Sequence, residues 1–245
     1  AKREGAGKIF HTYPANAWFG GGEIVTVHDC IPWMDSNYRK GLLSRLYHFM
    51  TRRAVKKAGK VVTVSETSKK DVVSVCGVSG EKIVVAYNDA DEVYKAKSDA
   101  DFDAEVLKEV GVKKGEYFLY VGGYDSRKNV DYLLKEHEGS KFPLVLTGGK
   151  QFNSKLYGSL DLEREGIVKT GFVPGELLAA LYRNCRAYVN FSRCEGFNIP
   201  ILEAANCGAA LVLSDIPVHR EVAKDAAIFV DIEKEGAGKK AMMAV

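Results

Sequence analysis

The chain has 245 residues, 46% of them hydrophobic and 27% charged, a composition typical of soluble globular proteins and sufficient for two ordinary domains. No apolar run approaches the ~20 residues of a membrane span, and five cysteines without a C-x-x-C pair favour the reduced thiols of a cytoplasmic protein over a disulfide frame or zinc site. The net charge of +3 is uneven: residues 1–90 hold 14 Lys and Arg against 8 Asp and Glu, and the remainder holds 21 against 24, so the halves should face different partners.

The first ninety residues alternate strands and helices. Apolar runs predict strands at 24–27, 60–64 and 82–86, a helical pattern covers 37–58, and Ser65 has the sequence context of a helix N-cap. Apolar strands without polar alternation are typical of a parallel sheet covered on both faces.

Residues 91–116 are polar and acidic, and we interpret them as a linker that contains one short helix. A second alternating set follows, with strands predicted at 117–121, 143–147, 166–170, 187–191, 209–213 and 227–230, and helices at 129–137, 175–183 and 200–207. The order predicts two α/β domains, a partial one at 1–90 and a second at 117–245.

The most informative stretch is Glu-Gly-Phe-Asn-Ile-Pro-Ile-Leu-Glu at residues 195–203. A strand, a glycine turn and a helix in this order direct free backbone N–H groups at an anion beyond the strand. Amides at Gly196, Phe197, Asn198 and Ile199 would take phosphates, and Glu195 and Glu203 would take hydroxyls. An isolated pair of acids at this spacing is more often simply solvated.

A second glycine turn follows the strand at 117–121. Gly122 and Gly123 permit close backbone approach, and Arg127 with Lys128 can clamp a diphosphate. Taken alone, the pattern is also that of a surface turn with solvated bases.

Gly148 follows the next predicted strand, and His28 and Asp29 follow the strand at 24–27. Open α/β sheets bind ligands at such strand ends. A lone histidine there is more often structural.

Together these phrases resemble the retaining GT-B glycosyltransferases of family four. The donor signature E-x7-E matches Glu195 and Glu203, G-x-x-x-x-R-K-N matches Gly122 through Asn129, and V-T-V-H-D matches residues 25–29. Further family phrases recur in order over about residues 24–232. The resemblance implies two Rossmann-like domains with parallel sheets facing across a cleft.

The resemblance also implies roles for these residues. Arg127 and Lys128 would hold the donor diphosphate, Glu203 the ribose hydroxyls, and Glu195 the donor sugar. His28 would reach the sugar from the other domain, and the strand end at Gly148 would border the base. The substrate would be a GDP- or UDP-sugar, the acceptor a carbohydrate or lipid-linked hydroxyl, with no cofactor and no metal.

The N-terminal half departs from the family pattern. Some eighty or more residues precede V-T-V-H-D in the family, whereas about two dozen precede it here. Residues 19–22, Phe-Gly-Gly-Gly, fall between the wrong strands to replace the missing glycine loop. We therefore interpret the first domain as incomplete or unusually small, and a partner chain completing it is one expectation.

The pairs of aspartates at 89/91, 99/101 and 101/103 suggest a metal-binding D-x-D motif. They fall in the linker rather than at a strand edge, so we interpret them as solvated acids.

The stretch 37–60 is basic, with eight Lys and Arg and no acid. Its apolar residues (Leu42, Leu43, Leu46, Tyr47, Met50 and Ala54) are expected to form the core face. The bases form either a solvated face or a contact with anionic lipid, and nucleic acid is not indicated.

The sequence therefore predicts a cytoplasmic glycosyltransferase, peripheral on the inner face of the membrane if the basic helix binds lipid. Two alternatives stay open. One is a non-catalytic or split-enzyme donor-binding subunit that needs a partner chain. The other is a nucleotide-sugar epimerase or a phosphorylase on the same fold.

Overall fold

A computed structural model gives the fold and describes residues 9–17, 23–34, 41–95, 97, 99–149 and 160–245. The chain divides into two compact units. The first consists of Ala1–Asn88 with Glu195–Phe197, and the second of Asp89–Cys194 with Asn198–Val245. Each unit contains a parallel sheet with helices, which confirms the α/β class. The Phe-Gly-Gly-Gly segment at 19–22 and the start of the predicted helix at 37 lie outside the described residues.

The described part of the first unit contains four parallel strands in the order β1-β2-β3-β4. The strands are β1 (Phe10–His11), β2 (Ile24–Val27), β3 (Lys60–Thr63) and β4 (Ile83–Val85), and the helices are α1 (Ile31–Met34), α2 (Leu42–Lys57) and α3 (Glu66–Cys76). Ser65 caps α3, since its hydroxyl accepts from the Ser68 amide at 2.9 Å, and Gly77 ends the helix in the left-handed conformation. The three predicted strands and this cap agree with the sequence to within one residue at each end.

The expected core face of α2 is wrong for its first turns, although Ala54 is buried as expected. Leu42 and Leu43 are 82% and 83% exposed, and Leu46, Tyr47 and Phe49 are exposed as well. The buried residues of α2 are His48, Thr51, Ala54 and Val55. A helix with apolar residues on two faces does not reveal which face packs. Here α2 packs against the Pro14–Ala17 turn and α3.

The second unit holds six parallel strands in the order β10-β9-β8-β5-β6-β7 within its described residues. The strands are β5 (Phe118–Val121), β6 (Leu144–Thr147), β7 (Ile167–Gly171), β8 (Ala187–Asn190), β9 (Leu211–Ser214) and β10 (Ala227–Val230). The helices are α4 (Ala100–Val110), α5 (Val130–His137), α6 (Gly175–Asn184), α7 (Ile199–Asn206), α8 (Pro217–Ala223) and α9 (Ala237–Met243). Helices α8 and α9 have no counterpart among the predicted elements.

The chain order along this sheet positions a ligand site. From β5 the chain runs outward to β6 and β7, then returns to the other side of β5 with β8. Such a reversal leaves a crevice at the carboxyl ends of β5 and β8. Residues of β5 belong alternately to two apolar clusters: Leu119 to one, Phe118 and Tyr120 to the other. The sheet is therefore buried on both faces, as its apolar strands predict.

Residues 91–116, which we interpret from sequence as a linker, group with the second unit. They form a turn of helix at Glu92–Lys95 and the helix α4, whose Val106 and Leu107 are buried in the core. The interpretation of Asp103 as a solvated acid is wrong: it is 5% exposed and forms a two-pronged ion pair with Arg183 at 2.5 and 3.1 Å. Its partner is 80 residues away in sequence, so no local pattern reveals the pair.

Candidate functional site

Two glycines bring the ends of β5 and β6 into backbone contact. A Cβ atom on Gly148 would lie 2.3 Å from the Gly122 carbonyl oxygen, and φ at Gly148 is 124°. Gly122 itself has φ 152°, and a Cβ there would lie 3.0 Å from the Tyr120 hydroxyl. Real Cβ atoms essentially never come as close as 2.3 Å, so Gly148 requires glycine. At Gly122 the 3.0 Å contact is tight, and its φ is one that residues with a side chain rarely adopt. The Tyr120 hydroxyl donates to the Gly123 carbonyl at 2.6 Å, which holds the turn in place.

The basic pair lies in a short helical turn directly after these glycines. Asp125 caps the turn by accepting from the Arg127 amide at 3.2 Å, and the Arg127 Nε lies 3.2 Å from the same carboxylate. Lys128 is only 9% exposed, and its Cε lies 3.8 Å from the position of a Gly122 Cβ. A buried lysine beside a side-chain-free backbone is a placement that the sequence pattern does not predict.

The next residue ties this turn to the segment after β8. Asn129 is fully buried in the left-handed conformation, with φ 54°, and its side-chain amide donates to the Phe191 carbonyl at 3.1 Å. The Arg193 amide donates to the Arg127 carbonyl at 2.7 Å. The strand ends of β5 and β8 are thereby fixed to one another, as a preorganised site requires.

Helix α7 begins at a second left-handed asparagine, Asn198, with φ 78°. Its side-chain Nδ2 lies 2.8 Å from Nε2 of the fully buried His219, whose Nδ1 lies 3.1 Å from the Ser214 carbonyl oxygen. An amide N–H on Nε2 requires that the imidazole carry its proton on Nδ1. The Oδ1 of Asn198 is buried and has no hydrogen-bond partner among the described residues. His219 is a positioning residue that the sequence does not reveal, since it lies on an unpredicted helix.

Glu203 lies on α7 with two tyrosines against its carboxylate. The Tyr182 hydroxyl donates to Oε2 at 2.9 Å, and Tyr94 also donates to this group. Burial raises the pKa of Glu203, and the two tyrosine hydrogen bonds lower it in part. Burial also raises the pKa of Tyr94 to about 12 and that of Tyr182 well above its usual value, so both remain protonated donors. A carboxylate has about four acceptor positions, so Glu203 retains capacity for a diol.

The remaining candidates group with the first unit. His28 is exposed at the end of β2, and Asp29 accepts from the Ile31 amide at 2.9 Å, capping α1. The Gly196 carbonyl accepts from the buried hydroxyls of Ser65 and Ser68 at 2.7 and 3.1 Å. A Cβ on Gly196 would lie 2.5 Å from the His28 carbonyl oxygen, so this position also requires glycine.

The candidates therefore fall into two groups. Within the second unit the structure brings Gly122, Gly148, Arg127 and Lys128 together, with Glu203 on the helix that follows β8. Within the first it brings His28 next to Gly196, while Glu195 and Phe197 are 9% and 6% exposed. Across the described ranges no three or more His, Cys, Asp and Glu side chains are grouped so as to hold a metal ion.

Comparison with known protein families identifies the family to which the chain belongs. Residues 102–243, more than half of the sequence, match the model of glycosyl transferases group 1, and residues 9–92 match that of glycosyltransferase family 4. The chain belongs to the glycosyl transferases group 1 family. The resemblance inferred from the sequence motifs is confirmed.

Curated relatives of this glycosyl transferases group 1 chain include O-antigen mannosyltransferases. It is 28% identical over 217 residues to O-antigen chain mannosyltransferase B of Escherichia coli, covering 85% of this chain and 57% of that protein. It is 29% identical over 226 residues to O-antigen chain mannosyltransferase RfbU of Salmonella typhimurium, covering 90% and 60%. The chain thus spans about 60% of the length of these relatives.

Solved structures show the fold. HepE of Anabaena in complex with UDP and glucose matches with a TM-score of 0.80 at 15% identity, over 99% of this chain and 69% of that one. WaaG, a glycosyltransferase involved in lipopolysaccharide biosynthesis, matches with a TM-score of 0.74 at 15% identity, over 99% and 70%. The GT-B fold class of this family member is therefore confirmed.

Proposed function

We propose that this chain catalyses transfer of a sugar from a nucleotide-diphosphate sugar to a hydroxyl of a carbohydrate or lipid-linked acceptor. The observation that carries the proposal is the contact between Gly122 and Gly148 beside the buried Lys128. The two glycines leave backbone without side chains exposed to a ligand where the strand order reverses, next to the partly desolvated Lys128. An anionic ligand with a diphosphate suits this combination better than any other common metabolite class.

Each candidate has a role in this reaction. Arg127 and Lys128 would bind the diphosphate, where negative charge grows as the bond to the sugar breaks. Glu203 would accept from the ribose hydroxyls, and the amides from Gly196 to Ile199 would approach the donor. Glu195 would hold the donor sugar and His28 would contact it. The buried, unpartnered Oδ1 of Asn198 suits a hydroxyl donor from the same sugar.

We further propose that the transfer retains configuration and needs no metal. Retention follows from the match of Glu195 and Glu203 to the E-x7-E signature of the family. Two adjacent cations and the backbone amides at the start of α7 supply positive potential at the diphosphate. These charges perform the task that a divalent ion performs in other transferases.

The donor and acceptor are proposed from the relatives. The curated relatives carry the name mannosyltransferase, and the solved HepE structures contain UDP or UDP-glucose. A mannosyl or glucosyl donor activated by GDP or UDP, and an acceptor of the O-antigen glycan class, are the candidates to test first.

A nucleotide-sugar panel tests this proposal. The chain is incubated with GDP-mannose, UDP-glucose and related sugars while thermal shift, hydrolysis and transfer to oligosaccharide acceptors are measured. Stabilisation by one donor together with transfer supports the proposal. Stabilisation without transfer identifies a donor-binding subunit, and interconversion of the sugar identifies an epimerase. Formation of a sugar phosphate when inorganic phosphate is added identifies a phosphorylase.

Replacing Glu203 tests the ribose contact. Glu203→Ala should weaken binding of the nucleoside diphosphate by ~1.5–3 kcal/mol, the range for a hydrogen bond to a charged group. Calorimetry on folded protein measures the change. Glu176→Ala, an acid in the first turn of α6, is the matched control. Unchanged affinity in the Glu203 variant would remove this residue from the donor site.

The same carboxylate predicts a pH dependence. Its pKa is raised by burial, so it takes up a proton at a higher pH than an ordinary glutamate. The ionised form accepts more strongly from hydroxyls. The affinity for nucleotide should therefore be highest at pH values above the raised pKa of Glu203, and it should fall as the pH is lowered through that pKa. Glu203→Gln, measured by calorimetry across the same range, should lack this step.

We also propose that α2 contacts an anionic membrane. Its exposed apolar side chains (Leu42, Leu43, Leu46 and Phe49) adjoin exposed bases (Arg45, Arg53, Lys56 and Lys57). An apolar stripe with flanking bases is the composition of interfacial helices. In the part of the chain that the structure describes, no helix is long and apolar enough to cross a bilayer.

Vesicle sedimentation tests this contact. Binding to vesicles with anionic lipid should exceed binding to neutral ones and fall with salt, at about 1 kcal/mol per engaged base. Replacing Arg53, Lys56 and Lys57 by Gln should remove the difference, whereas Gln at the exposed Lys113 and Lys114 should preserve it. Equal sedimentation with both vesicle types would assign α2 to another role.

A further inference from the structure

A cavity of about 370 Å³ opens within the second unit, at the amino ends of β5, β6 and β8. Phe118 is the first residue of β5, Phe142 lies just before β6, and Arg186 directly precedes β8. Gly122 and Gly148 follow the carboxyl ends of β5 and β6, so the candidate donor site lies at the other end of the same sheet. We call this cavity the basic pocket, and its walls include Phe118, Lys141, Phe142, Arg186, Lys239 and Met242.

The basic pocket gathers positive charge around one aromatic ring. The Lys141 Nζ lies 4.8 Å from the centroid of the Phe142 ring, and the Arg186 guanidinium carbon lies 4.6 Å from it. Lys239 adds a third cation, and its Nζ donates to the Glu138 carbonyl at 2.8 Å. Among the described residues, no Asp or Glu side chain forms an ion pair with these three cations. A cavity lined by charges of one sign attracts ligands of the other sign.

The acid that lines the basic pocket is occupied by the start of α9. The two carboxylate oxygens of Glu136 accept from the Gly236 amide at 3.0 Å and from the Lys239 amide at 2.8 Å. The side chain is buried, and its charge stabilises the first turn of the helix. The pocket therefore keeps an excess of positive charge.

Arg186 is half-buried and incompletely paired. Its Nη2 donates to the Val245 carbonyl, whereas its Nε is buried and has no hydrogen-bond partner among the described residues. Removing a donor from water without supplying an acceptor costs free energy. A bound anion would offset that cost, because phosphate and carboxylate oxygens match the N–H groups of a guanidinium.

The remaining walls of the basic pocket are apolar. Phe118 and Met242 are buried, and the exposed Met243 also lines the cavity. Methionine side chains adapt to ligands of varied shape. The volume of about 370 Å³ lies within the range of roughly 300–1,000 Å³ for small-molecule sites. The ligand should therefore carry an apolar ring or short chain beside its charge.

We propose that the basic pocket binds a phosphate monoester that bears an apolar group. Such an ester carries about two negative charges at neutral pH and several strong acceptor oxygens, which suits three cations better than a single carboxylate does. A neutral ring would leave the cations unpaired. The ester is either a soluble metabolite or a lipid headgroup. The inference does not depend on the proposed function, because the residues of this pocket have no role in donor binding.

Phenyl phosphate is the probe, and the methionines of the chain are the reporters. Of the four methionines (Met34, Met50, Met242 and Met243), the last two line the basic pocket. With isotope-labelled methionine methyl groups, phenyl phosphate should shift the NMR signals of Met242 and Met243 in a saturable manner. The signals of Met34 and Met50 should stay in place. Single replacements by leucine assign the four signals.

Charge variants identify the cations that bind the probe. Replacing Lys141 and Lys239 together by Gln should weaken phenyl phosphate binding about tenfold. Lys240→Gln removes an exposed base of α9 outside the pocket and should change Kd less than about twofold. Alanine at both Arg127 and Lys128 should also leave Kd unchanged, which separates the basic pocket from the donor site. Thermal denaturation shows whether each variant is folded.

Dihexanoyl phosphatidic acid, a short-chain lipid with a phosphate monoester headgroup, distinguishes the two sources. Displacement of phenyl phosphate by lower concentrations of this lipid indicates a lipid headgroup as the ligand. Displacement only at higher concentrations indicates a soluble ester. Both results agree with the proposed chemistry.

The inference is overturned if phenyl phosphate leaves the Met242 and Met243 signals in place up to its solubility limit. Equal shifts with benzyl alcohol, a neutral compound with the same ring, would show that the cations have no part in binding. Unchanged affinity in the double lysine variant would contradict the inference as well.

Discussion

Replacing Arg127 and Lys128 together by alanine should lower the rate of sugar transfer by on the order of 10²-fold or more. Preorganised charge at a leaving group has effects of this size when it is removed from a water-poor site. Lys128 is 9% exposed and Arg127 is held against Asp125, so both are partly desolvated and positioned before substrate arrives. The kcat from steady-state transfer kinetics measures the change.

The matched control is a second pair of adjacent bases in the same unit. Lys113 and Lys114 are both exposed, and alanine at both should leave kcat within about twofold, since screened surface charges act weakly. EDTA should leave the unmodified chain active if the basic pair supplies the positive charge. Strict dependence on Mg²⁺ or Mn²⁺, or wild-type kcat in the double variant, would contradict the proposed mechanism.

A single methyl group at Gly148 should abolish nucleotide binding. Gly148→Ala places a Cβ 2.3 Å from the Gly122 carbonyl oxygen and forces alanine to φ 124°. Backbone strain and overpacking each cost roughly 1–3 kcal/mol, so the free energy of unfolding should fall by about 3 kcal/mol. The separated strand ends would also displace Lys128. Thermal denaturation and calorimetry with nucleoside diphosphate measure the two effects.

The adjacent glycine is the control. Among the residues that the structure describes, none has a heavy atom within 4 Å of a Cβ on Gly149, and its φ is outside the left-handed range. Gly149→Ala should therefore change the free energy of unfolding by no more than about 0.5 kcal/mol. If Gly148→Ala bound nucleotide as well as Gly149→Ala, the contact between β5 and β6 would have no part in the donor site.

The sequence predicts the elements whose signal is local. Strands such as Phe118–Val121 and Ala227–Val230 are apolar runs bounded by turns, and the Ser65 cap lies three residues before the amide that it accepts from. Motif phrases likewise identify the glycine turns. These features depend on neighbours in the chain, so the sequence is sufficient for them.

Features that depend on distant partners escape such reasoning. Glu203 reads as one acid of a pair, whereas Tyr182 and Tyr94 hold its carboxylate from other segments. Asp103 reads as solvated because Arg183 is remote. The sequence predicts that Leu42 and Leu43 are in the core, whereas both are exposed. Amphipathic spacing does not identify which face of the helix packs against a neighbouring element. Each failure concerns a contact between segments rather than the conformation of one.

The chain segments that make up the first unit limit where the protein can be divided into fragments. That unit is discontinuous, because Glu195–Phe197 belong to it although more than one hundred residues separate them from Asn88. A fragment ending at Asn88 would lack the carbonyl that accepts from Ser65 and Ser68, and the Phe197 ring beside Tyr87. Separate expression of the two halves is therefore a poor route to either one, and limited proteolysis near Asn88 should yield products that remain associated.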